Sequence, residues 1–355
     1  MPVRRARRLV GATAGLLLAL AAAAPAHAAT FPAVHVVHPG ESIQRAVDAA
    51  RPGDTVLVLP GRYQGSVQIG TQGLKLRGTG PQTVLTPGPA GSANACAQAG
   101  HGLCVTGTAG QRLTDVRIES LAVSGFPKNG ISASETDRLT VRGVLAEENG
   151  EEGISQEKSI RGRFEDNDSR RNGEAGIFLA NIAYGEGGAI DTQGAVISGN
   201  RLTGNRMGVV VRRLRDLTVE RNTITGNCGG VFVVGDENRP RAGALTVRHN
   251  RVDRNNKYCP TNDRLPFIQG SGIVLTGVED TVVTRNEVDG NVGASPLSGG
   301  IVLFRSYVGG PSTGNSIADN HAADNGPADL ADRDGGAGNT FTGNTCRTSE
   351  PAGRC

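Results

Sequence analysis

The stretch NRLTGNRMGVVV, residues 200–211, returns with variations along most of the chain. Residues 222–233 read NTITGNCGGVFV, so both copies keep an Asn–x4–Asn–x2–Gly–aliphatic frame. Looser copies are DSRRNGEAGIFL at 168–179, NRVDRN at 250–255, NEVDGN at 286–291 and NHAADN at 320–325. Asn149 to Asn172 is a step of 23 (172 − 149), and Asn205 to Asn227 a step of 22 (227 − 205). Longer steps follow where Gly- or Pro-rich inserts interrupt. A fixed period of this size marks a solenoid, in which each repeat buries its apolar face against its neighbours.

Within one period, LTVERNTITGNCGGVFV at 217–233, Leu217 and Val219 alternate with polar neighbours, Ile224 stands alone, and Val231 and Val233 alternate again. Alternation over a few residues is the strand signature, because successive side chains point to opposite faces. No window of this repeat holds a 3.6-residue period long enough to make a helix. Three short strands in about 22 residues, turned by Asn and Gly, predict one turn of a parallel β-helix. Stacked turns would lie ~4.8 Å apart. Gly supplies positive φ at the corners, and Asn tolerates the left-handed region. The recurrent asparagines can be read as a row of ligand contacts or as a stacked ladder, each amide bonding the next turn at the same corner. The ladder is the better reading, because a buried unpaired amide costs ~1–3 kcal/mol and stacking removes that cost at every turn.

The composition fits tight turns around small aliphatic side chains. Gly at 52 of 355 residues is roughly twice the usual share, aromatics are 3% and Trp is absent. Residues 1–28 read as a secretory signal: a basic start with Arg4, Arg5, Arg7 and Arg8, an apolar run over 9–24, and an Ala26-His27-Ala28 cleavage site. Its removal leaves 33 basic residues (37 − 4) against 34 acidic ones, a net charge of about −1. A general nucleic-acid binder should carry a basic face, and that charge does not provide one. No other stretch reaches the ~18 apolar residues of a spanning helix. The remaining six cysteines are an even number, as an exported disulfide protein would have. Their positions predict Cys96–Cys104 closing one loop, Cys228–Cys259 bridging neighbouring coils, and Cys346–Cys355 pinning the tail. Without a CxxC pair or an adjacent His, no metal site is expected.

At the entry, HVVHPGESIQRAVDAARPGDTVLVLPGRY (35–63), one short helix is predicted over 42–50. Ser42 caps it, and Ile43, Ala46, Val47 and Ala50 share a face. Pro52-Gly53 ends it, and a buried strand begins at Thr55. A helix here covers the open end of the coil, where a bare strand edge invites aggregation. This entry segment, followed by the N-x4-N-x2-G-[IV] turns, resembles secreted bacterial right-handed β-helix repeat proteins of the pectin-lyase-like superfamily, over about Ala33 to Thr345. The resemblance implies an all-β fold, a right-handed parallel β-helix over 29–345 with a short N-terminal capping helix and a disulfide-pinned tail at 346–355. It is unspecific for reaction, since the superfamily includes lyases, hydrolases, epimerases and non-catalytic binding proteins.

Three excursions break the period, at 181–193 (NIAYGEGGAIDTQ), 256–270 (NKYCPTNDRLPFIQG) and 293–299. Loops on a rigid solenoid shape its binding surface. The corner motif sets Ile131, Ile154, Ile177, Val209, Val231, Ile273 and Ile301 in register, pointing inward. Three residues on, Ser134, Glu157, Ala180, Arg212, Val234, Thr276 and Phe304 then face outward. The next step gives Glu135, Lys158, Asn181, Arg213, Gly235, Gly277 and Arg305. In the resembling enzymes the active site lies on such an outward strand face. The densest ionisable group here is Glu157, Lys158, Arg212 and Arg213, joined by Asp236, Glu237 and Arg305 on later turns and by Asp191 from the 181–193 excursion.

A β-eliminating lyase needs a base for the C5 proton of a uronate and cations that neutralise its carboxylate. Lys158, Arg212 and Arg213 supply cations, Lys158 or Tyr184 a base, and Arg213, Arg305, Tyr184 and Glu237 substrate contacts. A glycosidase needs two carboxylates, for which Glu157 with Asp191 or Asp236 is the available set. No cofactor is required by the sequence; a lyase would leave room for Ca²⁺. Family motifs do not choose among these. Gly100-His101-Gly102 matches the GHG of polygalacturonase-like hydrolases, but that family's Asn-Thr-Asp and Asp-Asp partners are missing. Neither the Trp-x-Asp-His of pectate lyases nor the Asp-Pro-His of alginate-type epimerases occurs. Two function classes stay open: a monomeric secreted enzyme acting on a polysaccharide or cell-wall glycan, and a non-catalytic extracellular scaffold binding one.

Overall fold

The computed structural model describes residues 1–3, 11, 31–89, 94–182, 185–263 and 265–355. Nearly all of the segment read as a secretory signal, and Tyr184, lie outside the described residues. The unit Pro32–Cys355 is built from three long parallel sheets of twelve, ten and eleven strands, each turn between the first and the last adding one strand to each sheet. All three ladders are parallel and in register, so like positions of successive turns stack. In the first sheet one inward column runs from Val56 through Ile118, Phe164, Val219 and Val283 to Ile317, all buried. Each such side chain removed from water stabilises the coil by roughly 1.5–3 kcal/mol.

The second sheet explains the Asn–x4–Asn frame. Its strands are mostly three residues long, and the two asparagines bracket them: Asn200 and Asn205 stand on either side of Arg201–Thr203. Both asparagines form ladders, so there are two where the sequence suggested one. In the first, the backbone N–H and Nδ2 of Asn205 both donate to Oδ1 of Asn227, at 2.9 and 3.2 Å, and Asn227 repeats this toward Asn255. The row continues through Asn291 to Asn325. The second row runs from Asn167 through Asn200, Asn222, Asn250, Asn286 and Asn320 to Asn344. Each amide also donates to a carbonyl of the preceding turn, as Asn227 does to Leu202 O at 3.0 Å. From amide to amide, every rung therefore donates to the next turn and accepts from the one before.

The first ladder ends on Asp329 instead of another Asn. One of its carboxylate oxygens accepts from Asn325 N and Nδ2; the other accepts from Arg347 N, Thr348 N and the Thr348 hydroxyl. A terminal rung has donors on every side and nothing left to donate to, which is the chemistry of a carboxylate and not of an amide. Burial raises the Asp329 carboxyl pKa, but the hydrogen bonds from Asn325, Arg347 and Thr348 outweigh it and hold the group below its ordinary value.

Just before each ladder asparagine the backbone turns left-handed. Gly204 and Gly226 do this before Asn205 and Asn227, but so do Arg171, Arg221, Arg254 and Arg285, at φ between 49 and 54°. A side chain at such a φ costs ~1–2 kcal/mol, so the paired amides hold these corners against local preference.

Both ends are covered. Helix α1 (Ile43–Ala49) has Ser42 as its cap, accepting from Arg45 N at 3.2 Å, and buries Ile43 and Val47 over the first turn. Beside it Asp54 accepts from His35, Arg51 N and Ala33 N. These contacts, the His35 bond first, lower its pKa to about 2. At the far end Ser349–Glu350 pairs with Leu330–Arg333, beyond residue 345, and the Arg354 guanidinium lies 5.0 Å over the Phe341 ring. All three disulfides, Cys96–Cys104, Cys228–Cys259 and Cys346–Cys355, are present. A second short helix, α2 (Ala95–Gln98), lies in the first disulfide loop, capped by Asn94.

Candidate functional site

The third sheet carries five successive strands of six residues each, from Ala175–Ala180 to Gly299–Phe304. The column read from the corner motif is present: Ser134, Glu157, Ala180, Arg212, Val234, Thr276 and Phe304 pair in sequence, and Arg333 extends it. Apart from buried Ala180, these residues are half-exposed, while the Ile131-to-Ile301 column beneath them is fully buried. Glu157 and Arg212 thus lie two rungs apart, with Ala180 between them. Lys158 follows Glu157 at the corner, exposed, at a positive φ of 49°.

Arg213 does not project outward as the alternation expected. It sits at a left-handed corner, φ 54°, where the period of two no longer sets direction. Its guanidinium is buried: Nε donates to Asp236, Nη1 to Gly185 O, and Nη2 lies 3.5 Å from Glu186. Asp236 is equally buried and also accepts from Asn238 N at 2.9 Å. This ion pair, with Glu186 taking Asn238 Nδ2 at 2.8 Å, ties the 181–193 excursion to the next turns. Asp191 belongs to the first sheet, exposed, opposite Arg215, and its carboxylate accepts from Gln193 N. Glu237 and Arg305 are exposed, on the loops that leave the third sheet. Among the described residues no three His, Cys, Asp or Glu side chains converge as a metal site requires.

The neighbouring outward column is apolar. Phe178, Val210, Phe232, Val274 and Val302 form a second buried cluster outside the coil, completed by Cys228, Cys259, Ile268 and Leu297. The 256–270 excursion folds back over the sheet, Cys259 pairing antiparallel with Ile268, and the Cys228–Cys259 bond fastens it. The sequence carried this signal: GIFL, GVVV, GVFV and GIVL are unbroken apolar runs, the mark of strands buried on both faces. Reading Val231 and Val233 as simple alternation passed over Phe232.

Comparison with known proteins agrees with this geometry. A family model described as a right handed beta helix region matches residues 181–307. The fold is a right-handed parallel β-helix. Solved β-helices resemble it along most of their length. The A-module of a mannuronan C-5 epimerase from Azotobacter vinelandii is 18% identical, covers 87% of this chain and 90% of its own, and has a TM-score of 0.55. An alginate lyase from a Paenibacillus species is 17% identical over 90% of this chain and 99% of its own, with a TM-score of 0.54. A DFA-IIIase from Arthrobacter chlorophenolicus A6, in complex with GF2, is 14% identical over 88% and 92%, with a TM-score of 0.57. No curated protein matches the sequence. At these identities the likeness carries the fold alone. Among the described residues no helix is long and apolar enough to cross a membrane.

Proposed function

We propose that this β-helix is exported, by removal of residues 1–28, and as a monomer binds an extracellular polysaccharide along the outer face of the third sheet. The observation that carries the reading is the in-register column from Glu157 through Ala180 to Arg212, with Lys158 at the corner of the same rung. A periodic face suits a periodic ligand, since rungs ~4.8 Å apart can meet successive sugars. The solved β-helices named above include an epimerase and a lyase of uronate polymers, which supports an acidic glycan.

As a lyase, the site would use Arg212 to neutralise the uronate carboxylate and Lys158 or Tyr184 as base. The base takes the C5 proton, the C–H electrons form the C4=C5 double bond, and the C4–O bond breaks toward the departing sugar oxygen. Glu157 and Arg305 would orient hydroxyls and a second carboxylate. The burial of Arg213 against Asp236 favours a second reading, a non-catalytic binder, because it withdraws one cation and one carboxylate from the face. Exposed ion pairs contribute ~0–1 kcal/mol each, so charge-led binding is strongly salt-dependent. The test is a panel of polyuronates and neutral glycans at two salt concentrations, with wild type and Lys158→Ala/Arg212→Ala assayed for binding and for ultraviolet-absorbing unsaturated product. Product lost in the double variant supports the lyase. Binding without product selects the scaffold. No binding to any member sinks the polysaccharide reading.

A further inference from the structure

The chain has twelve aromatic residues, eight Phe and four Tyr, in 355 positions. Six of them lie on the outer face of the third sheet or on loops against it: Phe178, Phe232, Phe304, Tyr307, Tyr258 and Phe267. The interior of the coil is filled mainly by aliphatic side chains, so packing inside the turns does not explain this gathering. Four of the six form two pairs of the same design. Phe304 packs on the outer apolar cluster, and the Tyr307 ring lies 5.5 Å from it while remaining 56% exposed. Half-buried Phe267 is stacked with Tyr258 at 5.7 Å, and Tyr258 is 59% exposed. In each pair one ring is held and the other is presented.

We infer that Tyr258 and Tyr307 are stacking platforms for the pyranose rings of an extended glycan lying across the third sheet. This rests on the reading of that face as a polysaccharide site and adds how the sugar is held. A pyranose presents C–H bonds on its faces and hydroxyls around its rim. The C–H face suits the negative π face of a tyrosine, and the rim needs polar neighbours such as Arg305 and Glu237, both exposed on the loops beside the Tyr307 pair. A protein partner would be met by a contiguous apolar patch. Here the contiguous column of Phe178, Phe232, Val274 and Val302 is buried, and what stays exposed beside it is Tyr258 on one loop and Tyr307 with Val308 on the other. The platforms sit at opposite ends of neighbouring strands: Tyr307 follows Gly299–Phe304, and Phe267 precedes Ser271–Thr276. Six residues at ~3.3 Å each set the roots of these two loops roughly 20 Å apart. A ligand that meets both rings across that reach is an oligomer.

Because the chain lacks Trp and has four tyrosines, tyrosine emission and near-ultraviolet dichroism report on these rings directly. Wild type, Tyr258→Ala, Tyr307→Ala, the double variant and Tyr307→Phe are titrated with neutral and acidic polysaccharides, their short oligomers and the monosaccharides, at two salt concentrations. Both rings are exposed, and melting curves confirm that the variants fold. The expected result is a tyrosine signal on binding polymer, an affinity loss of about five- to tenfold for each Ala variant, retention in Tyr307→Phe, and no binding of monosaccharides. Polymer binding that is unchanged in the double variant overturns the platforms and leaves the polysaccharide reading standing. Failure of wild type to bind any polymer overturns both.

Discussion

Replacing Asn227 by Ala tests the ladder at a fully buried rung. The side chain of Asn227 accepts from Asn205 N and Nδ2 and donates to Leu202 O, Thr225 O and Asn255 Oδ1. After truncation the Asn205 backbone N–H has no acceptor in a fully buried position, which costs ~1–3 kcal/mol. Asn205 Nδ2 keeps Ser169 O, and Asn255 Oδ1 keeps the Asn227 N–H, so those groups are weakened and not orphaned. Adding ~0.5–1.5 kcal/mol for each of these two weakened groups gives a total of about 2–6 kcal/mol. Asn344 plays the same part for Asn320 at the half-exposed end of the other ladder, where water can enter. Asn344→Ala should therefore cost under about 1 kcal/mol. The assay is urea unfolding of both variants, with exposed Thr223→Ala as control, and hydrogen exchange at the Asn205 amide. Equal losses for Asn227→Ala and Asn344→Ala, or unchanged protection at Asn205, would refute the account.

Arg213→Ala and Asp236→Ala should each cost about 3–5 kcal/mol by leaving a buried charge alone, with the double variant losing less than the sum; additive losses in a mutant cycle would contradict a coupled pair. The lowered carboxyls of Asp54 and Asp329 contribute stability that is complete above the ordinary value near 4 and lost as pH falls through the folded values, about 2 for Asp54. Melting temperature against pH should therefore drop below pH 4, and Asp54→Asn should flatten that limb. Asp329→Asn turns an amide N–H₂ toward three donors and should destabilise at pH 7, where an unchanged melting temperature would remove the terminal-acceptor argument. Arg285→Gly relieves a corner at φ 54° and should raise stability by about 0.5–1 kcal/mol, since ~1–2 kcal/mol of strain exceeds the entropy cost of Gly; calorimetry reads the sign.

The register was legible because Gly followed by an aliphatic residue fixes the phase of every turn, and a period of two then places Glu157 and Arg212 in one column. That logic stopped at the corners. Arg213 is left-handed, and its partner Asp236 lies 23 residues away on the next turn, so neither its direction nor its burial follows from local pattern. Arg221 and Arg285 occupy corners that Gly fills elsewhere, and an arginine carries no turn signal of its own. The doubling of the ladder was visible in the two asparagines of each frame, but which of them is bonded depends on how the chain folds between them. The outer apolar column was written in the runs GIFL and GVFV, and its cover, the 256–270 loop, was not.

The direction of the ladders bears on how such a chain can change length. A rung asks of the next turn only an acceptor at one corner and offers one behind it, whatever lies between. From Asn149 through Asn172 and Asn205 to Asn325, successive asparagines of the first ladder are 23, 33, 22, 28, 36 and 34 residues apart, and the bonds are the same at each. Duplicating or deleting a whole turn leaves both neighbours matched, and loops can grow between rungs without being felt above or below. The constraint sits at the end of the row, where Asp329 has no substitute among the repeating residues. Growth is therefore free in the middle and closed at one terminus, as in a polymer with a single capped end.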